Sequence, residues 1–336
     1  MELKGKKILV TGGAGFIGSH LCERLIKEGS EVIVLDNFST GRIENLEDIK
    51  EKITLINGDV RDYDLVLETT KGVNIIIHEA FPYGKSGMGI EEQYIEEGIL
   101  GTFNLLKAAV KNNVKKFVNV SSVSVYGIQK EALVKEDFPI NVFLPYGVTK
   151  YSAELYCKAF SKLYGLDTVS LRYFYVYGPR YARFDHSALV NFLNRTIKDQ
   201  DLIIYGDGNQ IRDYTYISDV IKGTILAAKK DNNNGEVYNI SYGEGKNILE
   251  IAKKIIEISK KQIKIKFSEF KDNRFSDKYC KIPIGLTTRK EDKWIDERSY
   301  IGDISKAKKL LGYSPKINIE EGVKLTLNWM ESIEND

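Results

Sequence analysis

Cysteine, histidine, net charge and long apolar runs are all scarce in this chain, and each scarcity argues against a class of function. The 336 residues include three cysteines, Cys22, Cys157 and Cys280, far apart and without paired spacing, and only three histidines. Neither a disulfide framework nor a metal cluster is expected, and a reducing cytoplasm is the natural home. The formal net charge is +2, with 49 Lys+Arg set against 47 Asp+Glu and the lysines scattered among acids. No nucleic-acid footprint is therefore expected. No apolar run approaches the roughly eighteen residues of a membrane span, and Met1 to Lys7 lead straight into a strand, so no membrane anchor or secretion signal is expected.

Apolar residues make up 43% and charged residues 29%, the balance of an ordinary globular chain. The length suits two lobes, or one large α/β lobe with a smaller one appended. The organising stretch is Thr11-Gly12-Gly13-Ala14-Gly15-Phe16-Ile17-Gly18. It follows the apolar run Ile8-Leu9-Val10 and leads into residues 19–26, whose apolar positions recur at helical spacing. Strand, glycine turn and helix form the context in which backbone N–H groups approach a pyrophosphate at the positive end of a helix dipole. A second apolar strand, Glu31 to Leu35, ends at Asp36, eighteen residues after Gly18. A carboxylate there accepts hydrogen bonds from adenosine ribose hydroxyls and repels a 2′-phosphate, so the expected cofactor is NAD.

Further strands are expected at 53–59, 73–78, 117–120 and 168–174, alternating with helical stretches that include 91–112 and the run after Pro145. That alternation predicts an α/β fold, a Rossmann-type doubly wound parallel sheet covered by helices on both faces. The expected NAD-binding domain spans 1–176. A smaller α/β lobe spans 177–336, interleaved with the first and returning some segments to it. Asp207-Gly208-Asn209-Gln210 reads as a turn and residues 231–235 as a plain loop. The charged stretch 271–300 is either a flap over a ligand or a surface excursion.

Tyr146 and Lys150 stand four apart on a helix, which places both side chains on one face. To act as a base near neutral pH, a tyrosine must fall by about 3 units from its reference pKa of ~10. A neighbouring ammonium supplies part of that fall and a positively charged nicotinamide the rest. Ser122, at the end of the neighbouring strand, is placed to hold the same substrate hydroxyl. The three residues form a site for combined proton and hydride transfer.

With these residues in view, the chain resembles the extended short-chain dehydrogenases/reductases, specifically the NAD-dependent nucleotide-sugar epimerase/dehydratase family and its UDP-glucose and UDP-glucuronate 4-epimerase branches. The likeness runs through the glycine turn, Asp36-Asn37, Asp59-Val60, Ser122, Tyr146 with Lys150, Leu171 to Phe174, Tyr177-Gly178-Pro179-Arg180, Arg212-Asp213, Asp303 to Ala307 and the closing Leu311 to Pro315. It implies NAD-dependent 4-epimerisation of a nucleotide-linked hexose, most simply a UDP-sugar, through a transient 4-keto sugar. It assigns Gly12, Gly15, Phe16, Ile17, Gly18, Asp36, Asn37, Ser39, Thr40, Gly41, Asp59, Val60, Ala80, Phe81, Tyr146, Lys150 and Phe174 to the cofactor. Ser122, Tyr146, Tyr175, Arg212 and Lys293 fall to the substrate, with Arg212 clamping the diphosphate. A structural ion pair with Asp213 is the alternative for Arg212. The resemblance also implies a homodimer built on the helices at 91–112 and 148–164.

Family dehydratases carry an Asp-Glu pair directly after the residue matching Ser122, and decarboxylating relatives carry a Glu there, whereas this chain has Val123 and Ser124. That difference favours epimerisation. Other positions depart from the family. Glu79 and Phe81 flank Ala80 where a small, neutral strand end is usual, Gly98 replaces an asparagine near the nicotinamide, and Tyr175 replaces an asparagine that meets substrate phosphates. Lys293 stands where an arginine is usual. Glu79 is either an additional acid in the pocket or a paired structural carboxylate. The altered pocket keeps a dehydratase or 4-dehydrogenase of the same family as an alternative, and a non-catalytic NAD-sensing protein as another.

Overall fold

Short runs of β-branched and aliphatic residues, too apolar to lie at a surface, build the central sheet. A computed structural model of the chain describes residues 1–82, 91–181, 187–268 and 298–334, with the backbone of 288–290 and 293–295. The sheet strands are β1 (Lys7–Thr11), β2 (Glu31–Asp36), β3 (Ile53–Asn57), β4 (Ile75–His78), β5 (Lys116–Ser122), β6 (Asp167–Tyr173) and β7 (Glu236–Ile240). They pair in parallel in the order β7-β6-β5-β4-β1-β2-β3. The strand order reverses between β1 and β4, which register Thr11 against His78. Ligand sites of open parallel sheets lie at such a switch point, outside the carboxyl ends of the strands.

Alternation along each strand sends side chains to two helical layers. On one face Ile8, Val10, Val32, Val34, Ile75 and Ile77 pack with Leu21 and Leu25 of α1 (Phe16–Lys27). On the other, Leu9, Ile33, Leu35 and Ile76 meet α2 (Tyr63–Thr69), α3 (Gly101–Lys111) and α4 (Pro145–Tyr164) through Val66, Leu105, Leu106 and Phe160. The first cluster continues without a break into α5 (Ala188–Ile197), α6 (Ile217–Lys229) and α7 (Ile248–Ser259) through Phe192, Ile221 and Ile251. The last two helices are α8 (Ser305–Leu311) and α9 (Ile319–Glu334). None of the helices is long and apolar enough to cross a membrane, among the described residues.

One segment beyond residue 176 returns to the sheet: the seventh strand, β7, comes from residues 236–240 and covers what would otherwise be a bare edge. One feature differs from a reading of the sequence alone. The helix expected over 91–112 is wound in three ways, α at Glu91–Gln93, π at Tyr94–Leu100 and α again in α3. The wider turn reaches from the Gly101 N–H to the Glu96 carbonyl, and Thr102 Oγ1 donates to the Gly98 carbonyl at 2.5 Å. π-Turns of this kind often mark functional positions.

The Asp207–Gln210 turn joins strands that pair elsewhere, Leu202–Tyr205 with Ile265–Ser268 and Ile211–Arg212 with Lys246–Asn247. The loop at 231–235 is fixed by Asp167, which accepts the N–H groups of Asn232, Asn233 and Asn234. Cys22 and Cys157 are buried free thiols, and Cys280 lies outside the described residues. Of the charged stretch 271–300, only the ribbon of Thr288–Lys290 with Lys293–Ile295 and residues 298–300 fall within them.

Beneath the sheet's carboxyl edge lies a buried ion pair. Arg172 of β6 donates twice to Glu154 of α4, at 2.9 and 2.8 Å, both side chains being 4% exposed. Removing one partner of such a pair leaves a buried charge uncompensated. Glu154→Gln is therefore expected to cost about 3–5 kcal/mol in urea denaturation followed by circular dichroism. Glu68→Gln, which breaks the exposed pair with Lys71, is expected to cost about 1 kcal/mol or less.

Candidate active site

Gly12 and Gly18 shape the turn between β1 and α1 by what they lack. Gly12 has a φ of +71°, and a Cβ there would stand 2.7 Å from the Ala80 nitrogen. At Gly18 a Cβ would collide with the Gly12 carbonyl and stand 2.8 Å from the Gly13 Cα. Glycine at both positions draws α1, the turn and the end of β4 together. Gly15 begins α1 without a side-chain cap, and no acid lies in its first turn. The N–H groups at Phe16 and Ile17 thus lie at the positive end of the helix, where an anion is favoured.

Asp36 closes this wall. Its two oxygens accept the N–H groups of Ala14 and Phe38, each at 2.8 Å, and burial pushes the carboxyl above its usual value while those bonds oppose it. The loop carrying Asn37, Ser39, Thr40 and Gly41 folds back over the turn: Gly41 lies against Asp36 and Ala14, and the Arg42 N–H reaches the Ala14 carbonyl. Asn37 donates to Asp59 at 2.9 Å and accepts the Ser39 N–H. Burial works against ionisation of Asp59, but bonds from Arg61 and Asn37 outweigh it and hold the carboxyl down to about 2. Val60 is buried against Gly101 of α3.

The switch-point strands carry the polar centre. His78 is threaded between two hydroxyls, Thr11 Oγ1 at 2.8 Å from Nδ1 and Thr102 Oγ1 at 3.0 Å from Nε2. Burial, helped by the charge of Lys150, holds it down to about 3, so the ring is neutral at physiological pH. Next to it, Glu79 accepts the Tyr173 hydroxyl at 3.2 Å, and that oxygen lies 2.6 Å from Thr224 Oγ1. Burial pushes the Glu79 carboxyl up, while Lys150 pulls it back.

Pro145 occupies the first turn of α4, where its missing N–H costs nothing, and sets Tyr146 and Lys150 one turn apart. The α4 start is pressed against the end of β5: a Cβ on Gly147 would stand 2.7 Å from the Ser124 carbonyl. Ser122 lies in that same bend, its Oγ accepting the Ser124 N–H at 3.2 Å. Lys150 donates to the Val120 carbonyl at 2.8 Å and stands 3.8 Å over the centre of the Phe81 ring. Burial draws its ammonium below the usual lysine range, and Glu79 and Glu154 resist that fall. Phe81 meets the Tyr146 ring edge-on with centroids 5.2 Å apart.

Of the residues expected at the substrate, Tyr175 and Arg212 are brought together, the guanidinium 5.2 Å from the ring centre. Arg212 donates to the carbonyls of Ile211 and Arg298. Asp213, the acid of the alternative ion-pair reading, accepts the N–H groups of Tyr242, Gly243 and Gly302. Lys293 lies in the short ribbon, and its side chain is outside the described residues. Phe174 is wholly buried, its side chain packed with Val123, Tyr126 and Tyr300. Three partners lie beyond the reach of the sequence reading: Glu154 on α4 itself, and Thr102 and Thr224, which brace the site from α3 and α6. An acid buried one turn after Lys150 is the only signal the sequence offered for any of them.

A glycine turn drawn close against α1 and the end of β4, an uncapped helix start and a carboxylate at the next strand end together fit an NAD molecule. A parallel sheet with that turn at its switch point and a Tyr-Lys helix at the same edge defines a nucleotide-dependent oxidoreductase scaffold. Residues 8–241 match the NAD dependent epimerase/dehydratase family, and the chain belongs to it. It is 36% identical over 329 residues to a putative UDP-glucose 4-epimerase of Methanocaldococcus jannaschii, covering 97% of this chain and 98% of the relative. It is 32% identical over 338 residues to a UDP-N-acetyl-alpha-D-glucosaminuronate decarboxylase of Bacillus cytotoxicus, with 98% and 99% covered. The solved UDP-glucuronic acid 4-epimerase of Bacillus cereus, in complex with UDP-glucuronic acid and NAD, superposes with a TM-score of 0.81 at 32% identity over 97% of this chain and 99% of that one.

The neutral His78 makes stability depend on pH. Between its unfolded value near 6.5 and its folded value of about 3, the unfolded chain binds a proton that the folded chain does not. Its contribution is therefore complete above the upper value and is lost as pH falls through the window, by about 1.4 kcal/mol per pH unit. His78→Asn is expected to flatten the fall of unfolding free energy by about that slope, as read in urea titrations across the window.

Proposed function

We propose that this chain is an NAD-dependent 4-epimerase of a UDP-linked hexose. The observation that carries the reading is the end of β5, where Ser122 is followed by Val123 and Ser124, leaving Tyr146 with Lys150 as the acid–base pair. The residues of the glycine turn, Gly12 to Gly18, would hold the pyrophosphate, Asp36 the adenosine ribose, Asp59 and Val60 the adenine, and Lys150 the nicotinamide ribose. NAD, when bound, supplies a hydride acceptor and donor for carbon 4 of the sugar. Tyr146 takes the proton from the carbon-4 hydroxyl and later returns it, with the Lys150 ammonium favouring the phenolate form. Ser122 orients that hydroxyl. Arg212, beside Tyr175, clamps the diphosphate through its planar fork of donors. Proton and hydride both return to the sugar, so no second acid–base pair is needed.

A second reading, a dehydratase or 4-dehydrogenase of the same family, draws on Glu79 as an extra, partly buried acid at this edge. The assay that separates the two incubates the purified protein with UDP-, GDP-, CDP- and dTDP-sugars. Exchange of carbon-4 epimers of a UDP-sugar with the NAD pool unchanged is expected. A stable keto sugar, loss of water or stoichiometric NADH overturns it. Tyr146→Phe is expected to lower kcat by about 10²–10⁴-fold.

We also infer a homodimer built on the helices at 91–112 and 148–164. Ile95, Leu100, Val148, Leu155 and Leu163 are exposed there, from 44% to 71%. Leu155→Glu is expected to convert a dimer to a monomer in analytical ultracentrifugation. The buried thiols of Cys22 and Cys157 fit a reducing cytoplasm.

A further inference from the structure

Lys150 is a buried cation, and a buried cation needs compensation from its surroundings. Its surroundings supply the Val120 carbonyl at 2.8 Å, the Phe81 ring at 3.8 Å, and the charges of Glu79 and Glu154. Glu154 is already engaged by both arms of Arg172 and by the Ser121 hydroxyl. Glu79 is not shared in that way, and it directly follows His78, which registers against Asn119, the neighbour of the Val120 whose carbonyl holds the ammonium. Its described bond comes from Tyr173, a neutral hydroxyl braced by Thr224 on α6.

The other titratable groups around the ammonium are accounted for. On β4, His78 is neutral between two threonines. On β6, Arg172 belongs to Glu154 and Tyr173 to Glu79. On α4, Tyr146 meets the edge of Phe81, and Tyr94 of the π-wound stretch stacks beside both rings at 5.7 and 6.0 Å.

Phe81 occupies its place because Gly98 leaves it open. A Cβ on Gly98 would stand 2.9 Å from Phe81 Cε2 and would strike the Thr149 methyl group. The space beside the ammonium is thus given to an aromatic face, whose negative quadrupole attracts a cation. The same ring touches Tyr146, so it sets the spacing between the base and its cation, with Nζ 6.0 Å from the tyrosine ring centre.

We propose that Glu79 and Phe81, the two residues flanking Ala80, are positioning residues that hold the Lys150 ammonium charged and in place beside Tyr146. Phe81 carries the ammonium on its ring, and Glu79 balances its charge from the strand end. The inference rests on the role given to Lys150 in the proposed epimerase.

The test reads the ammonium itself. Enzyme labelled with 13C at the lysine ε-carbon, with its NAD as purified, is titrated by NMR, and the Lys150 signal is the one missing from Lys150→Arg. In Glu79→Gln the titration midpoint is expected to move to lower pH by about 1–3 pH units, and in Phe81→Leu by up to about one. The alkaline limb of kcat/KM is expected to move the same way, and Glu79→Asp, which keeps the charge, to restore most of the midpoint. If Glu79→Gln does not fold, Glu79→Ala and Phe81→Leu carry the same readings. Midpoints and alkaline limbs of the Glu79→Gln (or Glu79→Ala) and Phe81→Leu enzymes that coincide with those of the unaltered enzyme overturn the proposal, whatever happens to kcat. The midpoint needs no turnover, so it stands or falls apart from the sugar assay that decides the epimerase reading.

Discussion

The close approach of two stretches of backbone, the turn at Gly12 and the strand end at Ala80, sets the geometry on which the rest of the molecule depends. A single added carbon at residue 12 would sit within 2.7 Å of the Ala80 nitrogen. Because that contact brings β1 and β4 together at their carboxyl ends, the start of α1, the carboxylate of Asp36 and Glu79 after His78 all lie at one edge of the sheet. Parallel pairing from β3 to β7 extends the same edge on both sides, which carries Ser122 and Tyr173 to it as well.

Burial gives that edge its character. His78, Lys150, Glu154 and Arg172 are polar or charged groups placed where water is largely absent, with the partly buried Glu79 beside them, and each is held by a partner on a different element. Such an arrangement is expensive unless the partners are complete, and here α3, α4 and α6 each contribute one. The helices are therefore more than cover for an apolar sheet. They fix the protonation states at its edge.

What could be read from the sequence was what local chemistry dictates. Ile8-Leu9-Val10 followed by glycines announces a buried strand and a tight turn, and Pro145 ahead of an amphipathic run announces a helix start. The relation of Tyr146 to Lys150 follows from helical spacing alone. The π-winding at Tyr94–Leu100 has no such local signature, because it is set by what Gly98 and Gly101 pack against. The Glu154–Arg172 pair spans eighteen residues and two elements, and Phe81 meets Lys150 across 69 positions. Nothing in a periodic pattern reports contacts of that range. The sequence leaves Arg212 a choice between a ligand and Asp213, but Asp213 is occupied by three backbone N–H groups that no side-chain pattern reveals.

The seventh strand, residues 236–240, bears on how the chain is made as well as how it looks. A nascent polypeptide that has left the ribosome only as far as residue 176 holds six strands and a naked outer one, β6, with open N–H and C=O groups along its length. The sheet is sealed only after some sixty further residues, which form other elements first, have been synthesised. The two halves are thus unequal in time: the nucleotide scaffold begins early but is finished by a segment from the later half, so neither matures as an independent unit.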